Sequence, residues 1–444
     1  MSKTFRKGGG HPSDNKLSRA DEVERMPLPQ TVVIPLSQHI GAPATAVVAK
    51  GDRVKVGQLI GEAAGFVSSN VHSSVSGTVL SVDAVPDLGG VRRQAVTIKV
   101  EGDEWAEGID LDGSLRRECT LSPAEIIDKV KEAGVVGMGG AQFPTHVKLS
   151  IPQGKRAEYL LINGAECEPY LTSDHRVMLE RGEELLAGVK ILAKALGVGK
   201  SYIGIENNKP DAVAHLRKLA AGDAEVEVIA LRARYPQGGE KQLIDAVLGR
   251  EVPSGGLPID VGCVVQNVDT ALAVYEAVQK NKPLVERVVT VTGKSVERHA
   301  NLLVRIGTPL QAILDYCGGM PEDTGKVING GPMMGKAVAN LDSVVTKGTS
   351  GIVLMRDDEA ERRKSGGACI KCAKCVRGCP MGLEPYYLFK LGVRGRLTEM
   401  EGYWAADCIE CGLCSWVCPA NLPLLDYIRL GKVEVMRIMR ERKG

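Results

Sequence analysis

Apolar and polar positions change rhythm several times along this 444-residue chain. Between Ala44 and Gly61, and again from Val71 to Val82, they run in short segments broken by glycines. Val71-His-Ser-Ser-Val-Ser-Gly77-Thr-Val-Leu-Ser-Val82 alternates with period two. That period sends successive side chains to opposite faces, so these stretches predict short strands of a small barrel or sandwich. At Ser122 the pattern changes. Ser122-Pro123-Ala124-Glu125 predicts an N-cap, a proline at the first helical position and an acid in the first turn, with a helix over Ala124–Ala133. Beyond it, strands are expected at Tyr159–Asn163, Ser201–Glu206 and Glu225–Leu231. Helices are expected at Arg181–Leu196, Asp211–Leu219, Lys241–Leu248 and Asp269–Gln279. Strands alternating with helices predict βαβ units and a parallel sheet. From residue 284 the strand rhythm returns around Val288–Gly293, with a short helix near Pro309–Tyr316.

The ends have a different composition. Residues 1–30 are polar and carry Gly8-Gly9-Gly10-His11-Pro12, which predicts an extended arm lying on other parts of the chain. A stretch rich in Arg, Asp, Glu, Lys and Gly around 356–367 reads as a linker. Helices are expected at Pro385–Leu391 and, basic in character, at Val433–Lys443. The expected organisation is an arm at 1–30, a barrel at 31–115, an α/β unit at 116–283, an α+β unit at 284–345, a linker at 346–365 and a helical unit at 366–444. The fold class is multidomain, mixing α/β and α+β.

Composition narrows the function. Net charge is +2, so bulk charge gives no argument for nucleic acid. The first twelve residues carry basic groups but no apolar core of a signal peptide. No uninterrupted apolar run approaches 18 residues, so no transmembrane helix is expected and any membrane link runs through a partner. The twelve cysteines decide most. Eight fall in two runs, Cys369-Ile-Lys-Cys372-Ala-Lys-Cys375-Val-Arg-Gly-Cys379-Pro380 and Cys408-Ile-Glu-Cys411-Gly-Leu-Cys414-Ser-Trp-Val-Cys418-Pro419. Each is C-x2-C-x2-C-x3-C-P, the bacterial ferredoxin run of [4Fe–4S] proteins, whose fourth cysteine ligates the other cluster. The expected ligands are Cys369, Cys372, Cys375 and Cys418 for one cluster, and Cys408, Cys411, Cys414 and Cys379 for the second. Zinc ribbons and disulfides are the alternatives. Zinc sites take their ligands in two pairs rather than in tandem quartets with trailing prolines. Cys119, Cys167, Cys263 and Cys317 are scattered singly, which argues against a secreted disulfide framework.

A second informative stretch is Gly137-Met-Gly139-Gly140-Ala-Gln-Phe-Pro-Thr-His-Val-Lys148-Leu149. Glycines let backbone N–H groups approach a ligand phosphate, and a helix start adds a favourable dipole. The expected strand at 159–163 ends in Asn163-Gly-Ala-Glu166-Cys-Glu168-Pro169, at the sheet edge where open α/β folds bind ligands. Tyr235-Pro-Gln-Gly238-Gly239-Glu240 is a further glycine turn with an acid, and Asn267-Val-Asp-Thr opens a helix. Each piece alone also reads as a turn glycine, a helix cap or a surface acid.

Taken in order, these pieces resemble the FMN- and NADH-binding subunit family of respiratory complex I over about 122–340, with a β-grasp SLBB unit at its end. The resemblance implies that Gly137, Gly139, Gly140, Lys148, Asn163 and Asn267 hold FMN. It also implies that Glu166 lies at the flavin and nicotinamide face as the catalytic residue. Glu168, Tyr235, Gly238 and Glu240 complete the pocket. The chain departs from that family at Ala165 and Gly239, where the family has acids, and at Gln142, where the family has glycine. The phrases Gly-Asp-x-Val-x-x-Gly-Gln and Val-Ser-Gly-Thr-Val resemble the biotinyl/lipoyl barrel-sandwich hybrid, without the lysine that carries the prosthetic group there.

With the Lys7–Pro12 arm, the barrel and the twin cysteine runs, the whole chain resembles the RnfC family of Rnf electron transport complexes. That resemblance implies a peripheral member on the cytoplasmic face of the membrane. It would exchange electrons between NAD(H), FMN and two [4Fe–4S] clusters, to or from ferredoxin-linked partners, coupled to ion transport. The implied partners are an iron–sulfur subunit and integral membrane subunits. Alternatives are a cobalamin reductase of the propanediol-utilisation type and an electron-relay scaffold without flavin.

Overall fold

The computed structural model describes residues 2–360 and 366–442. The alternating stretches close into two small antiparallel sheets. One holds Thr31–Pro35, Arg92–Gly102, Ser76–Pro86 and Arg53–Val54 in that order; the other holds Thr45–Ala46, Leu59–Glu62 and Val71–His72. Their inward positions, among them Val32, Ile34, Ile60, Val71 and Ile98, are fully buried. The same apolar cluster runs on into the α/β unit through Ile126, Val130, Leu160 and Ile162. Burial on that scale contributes about 1.5–3 kcal/mol per large side chain, so barrel and α/β unit stabilise one another.

The α/β unit is a four-stranded parallel sheet, ordered Val226–Leu231, Ser201–Glu206, Tyr159–Gly164 and Cys263–Asn267. Helix Pro123–Glu132 begins with the expected cap: Ser122 and Glu125 bond each other's backbone N–H in a capping box. Helix Ser173–Glu180 was not expected. Its sequence, SDHRVMLE, has no apolar period because its inward face is largely polar. His175 meets Asp211, and the Arg176 guanidinium is satisfied by Glu180.

The third unit is a six-stranded sheet with the order Val23–Arg25, Ala300–Arg305, Glu286–Thr292, Gly351–Arg356, Thr324–Asn329, Lys336–Ala337. Two of its strands correct the sequence reading. The arm supplies an edge strand, with Val23 to Arg25 parallel to Asn301 to Leu303. Gly351–Arg356, inside the expected linker, is instead central, paired with one neighbour in parallel and the other antiparallel. Its first four residues, Gly-Ile-Val-Leu, are buried, the mark of an interior strand that charged flanks had masked. Residues 361–365 of the expected linker lie outside the described residues.

The cysteine-bearing unit is helical. Lys374–Gly378 and Leu413–Trp416 lie within the two runs, carrying Cys375 and Cys414, and Pro385–Val393 and Leu397–Gly402 fill the spacer. The last helix begins at Leu424, not Val433, and runs to Glu441. Leu424, Leu425, Ile428, Gly431 and Val435 form its buried face; Lys443 lies outside the described residues. Among the described residues no helix is long and apolar enough to cross a membrane.

Candidate functional site

The glycine stretch lies at the C-terminal edge of the parallel sheet, where the strands deliver Asn163 and Asn267. Asn267 caps helix Val268–Lys280: its Oδ1 accepts the Asp269 N–H at 2.8 Å. Its Nδ2 donates to Asp174 at 2.7 Å, and the Asp174 N–H donates to Glu166 Oε1 at 2.8 Å. Gly139 packs on the same amide; a Cβ there would stand 2.7 Å from Asn267 Nδ2, so the loop cannot carry a side chain at that point. Gly140 faces open space. Lys148, on the short helix Thr145–Leu149, donates to Glu240 at 2.8 Å and to the Val265 carbonyl at 3.1 Å. Asn163 Nδ2 donates to the Gly238 carbonyl at 2.8 Å. The structure thus gathers Gly139, Lys148, Asn163, Glu166, Gly238, Glu240 and Asn267 along one edge.

Glu168 points elsewhere. Its carboxylate accepts the N–H groups of Met333 and Met334 from the six-stranded unit, at 3.1 and 2.7 Å. Tyr235 also turns away from the glycine loop, donating its hydroxyl to the Cys411 carbonyl at 2.7 Å.

One site residue escaped the sequence reading. Lys16, from the arm, donates to the carbonyls of Glu166, Glu168 and Leu171 at 2.8, 2.9 and 2.5 Å. Its ammonium stands 3.8 Å from Glu166 Oε2, an oxygen that is buried and takes no hydrogen bond. Burial dominates both partners. It pushes the Glu166 carboxyl up to about 7 and the Lys16 ammonium down, against their mutual attraction. The Glu168 carboxyl is likewise raised by burial to about 7. Lys209 supports the loop from behind with a bond to the Ala165 carbonyl at 2.7 Å. No local signal marks Lys16, since it acts across about 150 residues of sequence on backbone oxygens.

Among the described residues no three His, Cys, Asp or Glu side chains converge as around a single ion. Instead Cys379, Cys408, Cys411 and Cys414 share the wall of one cavity with Leu383, Leu388, Leu413, Leu425 and Ile428. Cys379, from the first run, lies close enough to the three second-run thiols to oppose their ionisation. Burial pushes Cys411 and Cys414 up to about 12, so at neutral pH a cation has to pair with them before they ionise. An apolar, four-thiol cavity therefore fits a cationic iron–sulfur group. Cys418 in turn faces Cys375. On the other side, the orphaned Glu166 oxygen, the open Gly140 and the Lys148 ammonium fit a polar, phosphate-bearing ligand.

Family models describe the same four parts. Residues 3–103 match the RnfC barrel sandwich hybrid domain, 130–276 the Nuo51 FMN-binding domain, 288–337 the SLBB domain and 368–422 the 4Fe-4S dicluster domain. The chain is 47% identical to a subunit of the proton-translocating ferredoxin:NAD(+) oxidoreductase complex of Clostridium ljungdahlii, over 98% of this chain and 94% of that one. It is 45% identical to the counterpart in the Na(+)-translocating complex of Acetobacterium woodii, over 99% and 98%. Against the counterpart in the ion-translocating oxidoreductase complex of Rhodobacter capsulatus the figures are 43%, 96% and 82%. An NAD+-reducing [NiFe]-hydrogenase in the H2-reduced state has a similar fold, with a TM-score of 0.50 at 20% identity, over 70% of this chain and 61% of that one. The chain, which carries an FMN-binding and a 4Fe-4S dicluster domain, belongs to the RnfC family of ion-translocating ferredoxin:NAD oxidoreductase complexes.

Proposed function

We propose that the chain exchanges electrons between NAD(H) and one-electron carriers, as the NAD-facing member of a membrane electron transport complex. The observation that carries this reading is contiguity. The Glu166–Glu168 loop, Tyr235 and the cysteine-lined cavity share one buried contact made of Tyr235, Cys411 and Leu413, with Cys167 and Met333 packed against it. A two-electron site and a one-electron relay are therefore neighbours in one chain.

Bound FMN supplies the exchange between hydride chemistry and single electrons. Gly137, Gly139, Gly140, Lys148, Asn163 and Asn267 would hold it, with Gly238 and Glu240 closing the edge. Cys379, Cys408, Cys411 and Cys414 would ligate one [4Fe–4S] cluster and Cys369, Cys372, Cys375 and Cys418 the other. NADH gives up one hydride, hence two electrons, and leaves as NAD+; the two electrons depart singly through the cysteine unit. Glu166 shapes the site's charge: raised by burial, it is only half-ionised near neutral pH. Lys16 fixes the loop that carries it.

Partners follow from the ends of this path. An iron–sulfur protein of the assembly meets the cysteine end, integral membrane subunits anchor the whole, and the chain sits peripherally on the cytoplasmic face. The barrel and arm favour this over a cobalamin reductase, because the relatives match across residues 3–103 as well.

The test is the absorbance of the full chain purified without oxygen. Flavin peaks over a broad iron–sulfur band, both bleached by NADH but not NADPH, are expected. An iron–sulfur band alone would leave a relay scaffold.

A further inference from the structure

The arm does more than pass over the surface. At its start Lys3 pairs with the edge strand of the parallel sheet: its N–H donates to the Ala230 carbonyl, and its own carbonyl accepts the Arg232 N–H at 2.7 Å. Phe5 is buried beneath the Arg234 guanidinium, 4.5 Å from its ring centre. The three glycines then pass between the flavin-side loop and the cysteine loop. Gly10 and Tyr235 exchange backbone hydrogen bonds, both at 2.8 Å, while the Gly9 N–H donates to the Gly378 carbonyl at 2.8 Å. The fit leaves no room for side chains. A Cβ on Gly8 would lie 2.4 Å from the Cys379 carbonyl oxygen, and one on Gly10 2.7 Å from Leu413 Cδ1. Gly8 also has φ +61°, a conformation that other residues adopt at a cost.

Tyr235 thus ties the strip to the cavity, with the Glu168 carboxyl also within hydrogen-bonding reach of its hydroxyl. Its backbone is strapped to Gly10, and its buried hydroxyl donates to the carbonyl of Cys411, which lies in the cavity wall. Cys379, the first-run cysteine in that cavity, sits directly under Gly8. Two of the four thiol-bearing residues are therefore fixed by one continuous strip, Gly8–Gly9–Gly10–Tyr235. The three glycines are half-buried, but Tyr235 is only 2% exposed and packs on Cys411 and Leu413, so its O–H dipole acts where water is excluded.

We infer that the Gly8–Gly10 strip and Tyr235 form a clasp that positions the Cys379/Cys408/Cys411/Cys414 cavity against the flavin side and tunes the iron–sulfur group it would hold. Tyr235 and the strip are positioning residues. The inference rests on the electron-exchange reading above. Hydrogen bonding and burial around a cluster's ligands set its reduction potential, and the Tyr235 O–H dipole favours the more negative, reduced state. The glycines fix the separation across which electrons leave the flavin side.

Two variants of the full, cluster-loaded chain test it. Tyr235→Phe keeps the ring and removes the dipole. In a mediated redox titration one cluster moves to a more negative potential and its EPR line shape changes, while iron per chain stays at the parental value. Gly8→Ala forces the strip off Cys379. Exchange of the Gly9 and Gly10 amides with deuterium speeds up. Rapid-mixing reduction of the clusters by NADH slows by about tenfold, at the low end of the effect of outer-shell partners, while flavin bleaching keeps its parental rate. Parental potentials and line shapes in Tyr235→Phe overturn the tuning. Parental cluster reduction in Gly8→Ala, with its amides exposed, overturns the clasp. If the parental chain holds no flavin, the electron-exchange reading fails by itself, and the potential and the amide exchange still decide the clasp.

Discussion

The two halves of the electron path are built in opposite ways. The cysteine half draws its eight thiols from two short runs, Cys369–Cys379 and Cys408–Cys418, and the helical turns inside each run do the positioning. The flavin half draws its groups from four separate segments, and its charges are governed by an arm that lies about 150 residues away in sequence. A site made of contiguous residues needs only local geometry. A site made at a sheet edge needs the whole topology first. The difference teaches where each half is fragile: the first at its ligands, the second at the buried groups that hold its loops.

The largest effect should come from the cysteines, and it tests the crossed assignment. Cys379→Ser is expected to deplete the same cluster as Cys414→Ser, although Cys379 belongs to the other run. Cys418→Ser should deplete the cluster of Cys375. Iron per chain would fall by about half in each variant, since each carries one of two four-iron clusters. EPR of the reduced proteins would give matching residual spectra for Cys379→Ser and Cys414→Ser. Matching spectra for Cys379→Ser and Cys375→Ser would instead assign each run to its own cluster and break the comparison.

Next in size is Lys16→Met. This removes the cation beside Glu166 and leaves the carbonyls of Glu166, Glu168 and Leu171 without their donor. Losing one partner of a buried ionic group costs about 3–5 kcal/mol. Part of that is recovered here because Glu166 can take a proton. A fall in the denaturation midpoint equivalent to about 2 kcal/mol or more is expected. A change no larger than that of an exposed lysine would mean that the arm does not hold this loop.

Much of this was legible in the sequence, unevenly so. Period two marked the barrel, apolar runs marked Tyr159–Gly164 and Ser201–Glu206, and Ser122 with Glu125 marked a helix start. The cysteine spacing named its chemistry outright. What stayed hidden was burial achieved by polar partners. Helix Ser173–Glu180 carries His175 and Arg176 inward, so it lacks an apolar stripe. Val23–Arg25 is an edge strand too short to show a period, and its partner lies at Asn301–Leu303. Gly351–Arg356 looked like the margin of a charged linker until its neighbours on both sides were known. In the site, Glu168 and Tyr235 had the right residue types in the right order, yet their side chains meet each other and reach on to Met333, Met334 and Cys411. Order along the chain could not reveal that direction.

Glu166→Gln sharpens the same comparison through pH. The folded chain holds the Glu166 proton up to about 7, against an ordinary 4.5. A carboxyl raised by folding binds its proton more tightly in the native state, so the contribution of Glu166 to stability is full below about 4.5 and is lost as pH rises toward 7. The full loss from this one group is about 3 kcal/mol. Glu168, raised to the same range, contributes a similar fall. Glu166→Gln should therefore flatten part of the decline in urea midpoint between pH 5 and pH 7.5, and adding Glu168→Gln should flatten more. NADH–acceptor turnover should drop on the order of tenfold or more, as when one preorganised group is removed from an active site, with iron per chain unchanged. A decline in stability as steep as in the parent would show that Glu166 titrates as an ordinary surface acid.

The smallest change in stability is expected at Lys148, and there the contrast is cleanest. Lys148–Glu240 and Lys16–Glu166 are the same two residue types in opposite surroundings. The first pair stands at 2.8 Å with side chains 30% and 39% exposed; the second at 3.8 Å with 7% and 4%. Solvent screens the first, so Lys148→Met should cost less than about 1 kcal/mol in a denaturation midpoint, well below Lys16→Met. Its ammonium nevertheless stands at the start of helix Glu240–Leu248 beside the Val265 carbonyl, and a charged donor to a phosphate is worth about 1.5–3 kcal/mol. Flavin affinity, read from quenching of FMN fluorescence on titrating the flavin-free chain, should then weaken by about tenfold or more. Lys148→Arg would keep the charge and much of the affinity. Parental FMN affinity in Lys148→Met would remove Lys148 from the flavin site and leave it as half of a surface ion pair.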